Sequence, residues 1–177
     1  MVYEPQEDSY LLKKTVESYC ASHTLRRALD MCTGTGLVAA SIIADEVYGV
    51  DADDAALEEA KKRHANAQVT WIQSDLFFAV EGEFDLITCN PPYLPNELHD
   101  PDIALDGGEK GHEFICRFLK EAANHLSADG AILLLFSSRS NPDAIFVTMK
   151  KLGLSGEKVA EEHFFFEDLW VYRISKP

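Results

Sequence analysis

The chain has 177 residues, 46% of them hydrophobic, and a formal net charge of −14 at pH 7. This length suits one domain with a substantial core, and no apolar run approaches the roughly 20 residues that a membrane span needs. Duplex nucleic acid is an unfavourable partner for so acidic a chain, because its phosphates require clustered Lys and Arg side chains. We therefore expect a single domain over residues 1–177, without a membrane segment.

The cysteines point to a reducing compartment. Cys20, Cys32, Cys89 and Cys116 are widely separated, and neither a Cys-x-x-Cys motif nor a His/Cys cluster occurs. This spacing predicts free thiols and no structural metal. The opening residues Glu4, Glu7 and Asp8 do not resemble a signal peptide, so we expect a cytoplasmic protein.

Short apolar runs alternate with helical segments along the first half of the chain. Acidic residues in a first turn and apolar residues at helical spacing predict an N-terminal helical cap within residues 1–22. The remaining patterns predict strands at 28–32, 46–51, 69–73 and 84–89, and helices at 37–44 and 53–66.

The second half begins with a stretch that lacks any periodicity. Residues 94–108 contain Pro95, Pro101 and a Gly-Gly pair, and we interpret them as a loop on the substrate side. Helices are predicted at 109–126 and 142–152, and strands at 131–136, 156–164 and 168–174. The whole pattern predicts an α/β domain with a doubly wound, mostly parallel seven-stranded sheet, helices on both faces and an antiparallel C-terminal strand.

Polar residues follow the predicted strands, where such sheets bind their ligands. The Gly34 and Gly36 pair lets the backbone turn tightly and approach a ligand. A carboxylate at Asp51 can accept both hydroxyls of a ribose. Asp75 can accept from an adenine amine, and the N–H of Leu76 can reach a ring nitrogen. Each acid alone would fit a helix cap, but their succession favours a nucleoside site.

The glycine loop helps to choose between nucleosides. A pyrophosphate site favours a full Gly-x-Gly-x-x-Gly motif, whereas this loop has Asp30 before it and no third glycine after it. A cationic ligand without phosphate suits these residues better. S-adenosylmethionine is such a ligand.

The sequence Cys89-Asn90-Pro91-Pro92-Tyr93 follows the fourth predicted strand. Two prolines remove donors and stiffen the corner, which by itself would also fit a simple turn. The side-chain carbonyl of Asn90 and the backbone carbonyl of Pro91 can accept from one planar NH2 group, while Tyr93 lies against its face. The motif therefore predicts the binding of an amide or amine acceptor.

Four segments together resemble the HemK/PrmC class of protein-glutamine N5-methyltransferases. They are Tyr3-Glu4-Pro5-Gln6-Glu7-Asp8-Ser9, Asp30-Met31-Cys32-Thr33-Gly34-Thr35-Gly36, Ser74-Asp75-Leu76 and Asn90-Pro91-Pro92-Tyr93. The opening segment is similar to that of the short archaeal and eukaryotic branch, and the resemblance covers nearly the whole chain. Asn-Pro-Pro-Tyr is shared with amino-methylases of DNA, so it specifies the acceptor type and not the substrate.

The resemblance implies methyl transfer from S-adenosylmethionine to the glutamine amide in the Gly-Gly-Gln loop of a translation release factor. By position, Asp30 would bind the methionine ammonium, Ser9 the methionine end and Asp51 the ribose. Asp75 and Leu76 would bind the adenine, and the loop from Cys32 through Gly34 to Gly36 would wrap the cofactor. Asn90, Pro91, Pro92 and Tyr93 would hold the amide beside it. Cys32 departs from the family pattern, which usually has a glycine there.

Short-branch relatives pair with a small zinc-binding activator subunit, which the resemblance implies here too. The third strand, 69–73, is apolar on both faces and has no Lys or Pro to prevent pairing, so we expect the subunit at that edge. Three other functions are left open: a protein lysine methyltransferase, a DNA amino-methyltransferase, and an NAD-binding or non-catalytic module.

Overall fold

The fold is that of a computed structural model, which describes residues 4–93 and 111–177. The predicted substrate-side loop at 94–108 lies outside these residues. The glycine loop and the Asn-Pro-Pro-Tyr motif lie within them, and so does the N-terminal cap from residue 4 onward.

Seven strands form one sheet. They are β1 (Arg27–Met31), β2 (Glu46–Asp51), β3 (Val69–Gln73), β4 (Phe84–Cys89), β5 (Leu126–Ser137), β6 (Ser155–His163) and β7 (Asp168–Ser175). Their order across the sheet is β3-β2-β1-β4-β5-β7-β6. Neighbouring strands are parallel except at β7, which is antiparallel to both β5 and β6. The predicted mostly parallel sheet with an antiparallel C-terminal strand is confirmed.

Helices cover both faces of the sheet. They are α1 (Glu7–Cys20), α2 (Asp54–Arg63), α3 (Glu113–His125) and α4 (Pro142–Lys151). The start of α2 is fixed locally, because the Asp53 side chain accepts from the Ala55 N–H at 2.9 Å. Among the described helices, none is both long and apolar enough to cross a bilayer.

The core lies along the middle strands. All of β4 except Asp85 and all of β5 from Gly130 onward are buried, as expected for strands covered on both faces. On α3 the fully buried residues Ile115, Phe118 and Leu119 recur at spacings of three and four, which places them on one face of the helix. These α3 residues belong to the same buried core as the apolar residues of β4 and β5.

Two predicted elements differ from the structure. The helix predicted at 37–44 is only a 3-10 turn at Ala39–Ser41, because Ile42 is already extended with a ψ of 135° and the chain must reach β2 at Glu46. In addition, β5 begins at Leu126 and not at residue 131, so the predicted helix before it ends at His125. Local apolar pattern does not distinguish these alternatives, since Val38 and Ile42 are buried in the turn as they would be in a helix, while the equally apolar Ile43 is exposed.

The order of the sheet reverses between β1 and β4. The chain moves outward from β1 through β2 to β3, then crosses back to β4 on the other side of β1. A crevice opens beyond the carboxyl ends of the strands at such a point, and ligands bind there in open α/β sheets. Of the predicted cofactor residues, Ser9 lies in α1 and the others lie at or just after the ends of β1, β2 and β3, while the predicted acceptor motif follows β4.

Candidate active site

The carboxylate of Asp30, near the end of β1, organises the floor of the crevice. It is 2% exposed and accepts from Thr33 Oγ1 and Thr88 Oγ1, each at 2.6 Å. The Ala39 N–H donates to it at 3.2 Å. Burial raises the pKa of Asp30 to about 6, and the hydrogen bonds from the two threonines oppose that shift. Asp30 thus ties the glycine loop to β4, and its predicted contact with the methionine ammonium stays a prediction.

Asp51, the last residue of β2, holds the glycine loop from the other side. One carboxylate oxygen accepts from the Gly34 N–H at 2.8 Å and the other from the Asp53 N–H at 3.0 Å. Burial raises the pKa of Asp51, and these backbone hydrogen bonds oppose the shift. Each carboxylate oxygen can accept more than one hydrogen bond, so Asp51 retains the capacity to bind ribose hydroxyls.

The two glycines of the loop have different surroundings. Both have left-handed backbones, with φ of +52° at Gly34 and +80° at Gly36. Among the described residues, a Cβ atom at Gly34 would meet nothing within 4 Å, whereas one at Gly36 would lie 2.6 Å from the Trp71 ring. Gly34 therefore has no described neighbour on its Cβ side, and Gly36 allows the loop to pack against β3.

Cys32 also has a left-handed backbone, with a φ of 57°. Non-glycine residues with a Cβ atom pay roughly 1–2 kcal/mol in that region. The conformation explains why a glycine would suit this position, and it shows that the loop keeps its left-handed turn with cysteine present.

The turn after β3 carries the predicted adenine contacts. Leu76 is 3% exposed and has a φ of 47°, and Ser74 donates its N–H to the carbonyl of Asp51 at 2.9 Å. Asp75 is largely exposed and forms an ion pair with Arg117 of α3. A left-handed backbone at a non-glycine residue, such as that of Leu76, is strained, and strain of this kind is common at ligand sites. The adenine contacts of Asp75 and Leu76 stay predictions.

Asn90 follows β4 and presents a buried polar group toward the crevice. Its side-chain nitrogen donates to Asp8 Oδ2 at 3.0 Å. Its Oδ1 is buried, and no donor in the described ranges, 4–93 and 111–177, bonds to it. Buried acceptors are nearly always paired, so the Oδ1 of Asn90 is available to a donor from outside the described ranges.

The other end of the Asn-Pro-Pro-Tyr motif is fixed by two contacts of Tyr93. Tyr93 is 8% exposed, its hydroxyl donates to Asp8 Oδ2 at 3.3 Å, and its carbonyl accepts from Ser140 Oγ at 2.7 Å. Pro91 is buried and Pro92 half-buried. Anchors on α1 and on the segment after β5 therefore hold the corner rigidly.

The cysteine before the motif is not available as a nucleophile. Cys89 is completely buried, and burial raises the pKa of its thiol well above the usual range, with a further contribution from the neighbouring Cys32 thiol. The site therefore contains positioned acceptors instead of an activated thiol.

Four residues that the sequence analysis did not assign to the site prove to be part of it. Asp8 was interpreted as a favourable charge in a first helical turn, but it is 4% exposed and contacts the acceptor motif. Thr33, Thr88 and Ser140 hold Asp30 and Tyr93. The position of Asp8 inside the Glu-Asp-Ser opening was the available signal, whereas the contacts of Thr88 and Ser140 join residues that are 58 and 47 positions apart.

One group of side chains outside the crevice has the composition of a cation site. Glu161, His163 and Asp168 bring ligand atoms within 4.8 Å of one another at the β6–β7 hairpin. His163 is paired directly with Asp168 at 2.7 Å, which accounts for their proximity at this exposed surface.

The sheet order, the antiparallel β7 and the polar strand ends define a class I methyltransferase fold. The fold of the Mtq2–Trm112 complex from E. cuniculi, which methylates the eRF1 termination factor, matches with a TM-score of 0.77 at 22% identity over 99% of both chains. A magnesium protoporphyrin IX methyltransferase from Synechocystis with bound S-adenosylmethionine matches with a TM-score of 0.67 at 16% identity, over 99% of this chain and 86% of that one.

The chain belongs to the methyltransferase small domain family, which matches residues 7–165. It is 34% identical to a candidate protein N5-glutamine methyltransferase of Methanocaldococcus jannaschii, over 96% of this chain and 89% of that protein. It is 33% identical to methyltransferase HEMK2 of Mus musculus, over 99% and 90% respectively. These relatives confirm the predicted membership of the HemK/PrmC class, and the family excludes the alternative of an NAD-binding or non-catalytic module.

Proposed function

We propose that the protein transfers a methyl group from S-adenosylmethionine to the side-chain amide nitrogen of a protein glutamine. The observation that carries this proposal is the unpaired, buried Oδ1 of Asn90 at the carboxyl end of β4. The names of the relatives, several of which are glutamine methyltransferases, support the same acceptor.

The geometry suits a planar NH2 group. An amide nitrogen is a poor nucleophile because its lone pair is delocalised into the carbonyl. Asn90 Oδ1 and the carbonyl of Pro91 would accept from both N–H bonds, which raises electron density on the nitrogen and fixes its direction. Positioning and electrostatics of this kind lower the barrier without a strong general base.

The cofactor fits the crevice on the β1–β3 side. Gly34 has no described neighbour on its Cβ side, and Asp51 beside it has remaining acceptor capacity for the ribose. Asp75 and Leu76 would contact the adenine, and Ser9 with Asp30 would lie toward the methionine end. When bound, S-adenosylmethionine supplies an electrophilic sulfonium methyl group, and the residues of the chain orient the amide toward it.

A translation release factor is the substrate that we propose, through its Gly-Gly-Gln motif. A release factor glutamine methyltransferase of Deinococcus radiodurans is 37% identical over 66% of this chain and 47% of that protein. The Mtq2–Trm112 complex acts on eRF1, which supports the same class of substrate.

Free thiols at the four cysteines support the predicted cytoplasmic location.

Transfer of radiolabelled methyl groups to purified release factor tests the substrate. We expect label in the intact factor and none in a factor whose Gly-Gly-Gln is changed to Gly-Gly-Glu. Equal labelling of both factors would show that another residue accepts the methyl group, and no labelling of either would contradict the substrate.

The partner proposal concerns the β3 edge. As predicted, β3 is an edge strand, and all its side chains are partly or fully exposed. At the other edge, β6 carries Glu157, Lys158, Glu161 and Glu162, charges that discourage strand pairing. We propose that a small zinc-binding activator subunit pairs with β3, and the two-chain composition of the Mtq2–Trm112 complex supports an accessory subunit.

Co-expression of the chain with such a subunit tests the edge. Thr70→Lys in β3 should abolish co-purification, because it introduces a charge at the edge where a strand of the subunit would pair with β3. Val159→Lys, a matched change on β6, should leave co-purification intact. We also propose that the isolated chain is poorly soluble or weakly active and is rescued by the subunit. A stable, fully active monomer of the chain alone at micromolar concentration would contradict this requirement.

A further inference from the structure

The carboxylate of Asp8 is the least expected group in the site. It lies in the first turn of α1, where acids are common, but it is 4% exposed, unlike its exposed neighbour Glu7. A buried carboxylate requires partners, and this one has them on two sides. Oδ1 accepts from the N–H and the hydroxyl of Ser9 at 2.7 and 3.3 Å.

The other oxygen of Asp8 contacts the acceptor motif. Oδ2 accepts from Asn90 Nδ2 at 3.0 Å and from the Tyr93 hydroxyl at 3.3 Å. Because both neighbours donate to it, this oxygen acts only as an acceptor. One carboxylate thus holds the first and last residues of the Asn-Pro-Pro-Tyr motif.

The contact decides which end of the Asn90 amide faces the substrate. A half-turn of the side-chain amide exchanges oxygen and nitrogen with little change in shape, so packing alone selects neither orientation. The acceptor at Asp8 selects the orientation with nitrogen toward α1. Oδ1 then points away from Asp8, where no donor of the described chain meets it.

We infer that Asp8 is a positioning residue for methyl transfer: it holds the Asn90 amide so that Oδ1 receives the substrate N–H. This inference rests on the proposed function, and it adds a residue that neither contacts the transferred group nor binds the cofactor. Its consequence is specific. In Asp8→Asn the substrate amide loses a correctly turned acceptor, whereas an amide oxygen at position 8 can still accept from Ser9, the residue proposed at the methionine end of the cofactor.

Asp8→Asn tests this role, because an amide at position 8 can donate to Asn90 Oδ1 and occupy the acceptor. We expect turnover on the release factor to fall about 10- to 10²-fold, with the cofactor Kd and the melting temperature nearly unchanged. The matched control is Glu7→Gln, the same chemical change at the exposed neighbouring residue, which should keep turnover within about twofold.

A double-variant cycle separates positioning from general damage. If Asp8 acts through Asn90, Asp8→Asn should cause no further loss in an Asn90→Ala background. Wild-type turnover in Asp8→Asn, or a full additional loss in the double variant, would overturn the inference.

A measurement on the unaltered protein covers the case in which Asp8→Asn does not fold or the release factor is not the substrate. The Asn90 side-chain amide, assigned by its absence in Asn90→Ala, should exchange its protons with solvent much more slowly than the exposed Asn66 amide. Exchange as fast as that of Asn66 would show that Asp8 does not hold it. Failure of the release factor to be methylated would instead contradict only the proposed function.

Discussion

The two halves of the crevice use their polar groups differently. On the proposed cofactor side, Asp30 and Asp51 already accept hydrogen bonds from the glycine loop and the turn after it. On the proposed acceptor side, Asn90 is held through its nitrogen while its buried oxygen is unpaired within the described part of the chain. The first arrangement fixes the shape of the loop through pairs within the chain, and the second leaves one acceptor available, which we propose receives the substrate N–H.

This difference indicates where variants should act. Changes on the acceptor side should affect turnover more than cofactor binding, because the acceptor matters most at the transferring nitrogen. Changes on the cofactor side should weaken binding or alter the stability of the loop. The following variants test that division, from the largest expected effect to the smallest.

Asn90→Ala should lower turnover by about 10²-fold or more, because it removes an acceptor at the reacting nitrogen. The variant should fold and keep most of its affinity for S-adenosylmethionine. Steady-state kinetics with calorimetric binding would measure both, and Asn66→Ala at an exposed position is the control. Near-wild-type turnover on the correct substrate would contradict the amide-holding mechanism.

Asp51→Ala should weaken cofactor binding by about 1.5–3 kcal/mol, the range for a hydrogen bond to a charged group. Calorimetry would show this as a rise in Kd of roughly ten- to a hundredfold. Asp54→Ala, at an exposed acid nearby, should bind normally. Unchanged affinity in a folded Asp51→Ala protein would exclude the ribose contact.

Asp30 should contribute less to the free energy of unfolding as pH rises, which is opposite to the usual behaviour of a carboxylate. Its folded pKa of about 6 exceeds the unfolded value of 3.8, so the folded state binds more protons between these values. The stability contribution of Asp30 therefore falls as pH rises through this window, by about 1 kcal/mol from pH 5 to pH 7. Urea unfolding of the wild type and Asp30→Asn at both pH values should show their difference change by this amount, and a constant difference would contradict it.

Cys32→Gly should have the smallest effect. Glycine relieves strain of about 1 kcal/mol at a φ of 57° but adds a similar entropy to the unfolded chain. The free energy of unfolding should change by less than about 1 kcal/mol, and the cofactor Kd should stay within about twofold. A large gain in affinity would mean that cysteine distorts the loop.

Much of the fold is predictable from the sequence because its signals are local. The apolar strand 84–89 and the Gly34–Gly36 turn are each specified by a few consecutive residues, and both occur where expected. Local pattern fails at 37–44 because the same apolar sequence is compatible with a helix and with a short 3-10 turn. The start of β5 at Leu126 likewise depends on pairing with Phe84, which lies far away in the sequence.

The site is predictable to the extent that its residues follow strands. Asp51 and Asn90 lie at strand ends that the sheet brings to one edge, so their positions could be anticipated. The contact of Asp8 with Asn90 joins residues that are 82 positions apart and cannot be inferred from spacing. The hydrogen bond from Thr88 to Asp30 also depends on the register between β1 and β4.

The central claim is that this site methylates a glutamine amide held by Asn90. Mass spectrometry of the Gly-Gly-Gln peptide, after incubation of release factor with S-adenosylmethionine and either wild-type or Asn90→Ala protein, tests it directly. We expect one added methyl group on the glutamine side chain with the wild type and almost none with the variant. Methylation of a lysine in place of the glutamine, or equal glutamine methylation by both proteins, would contradict the account.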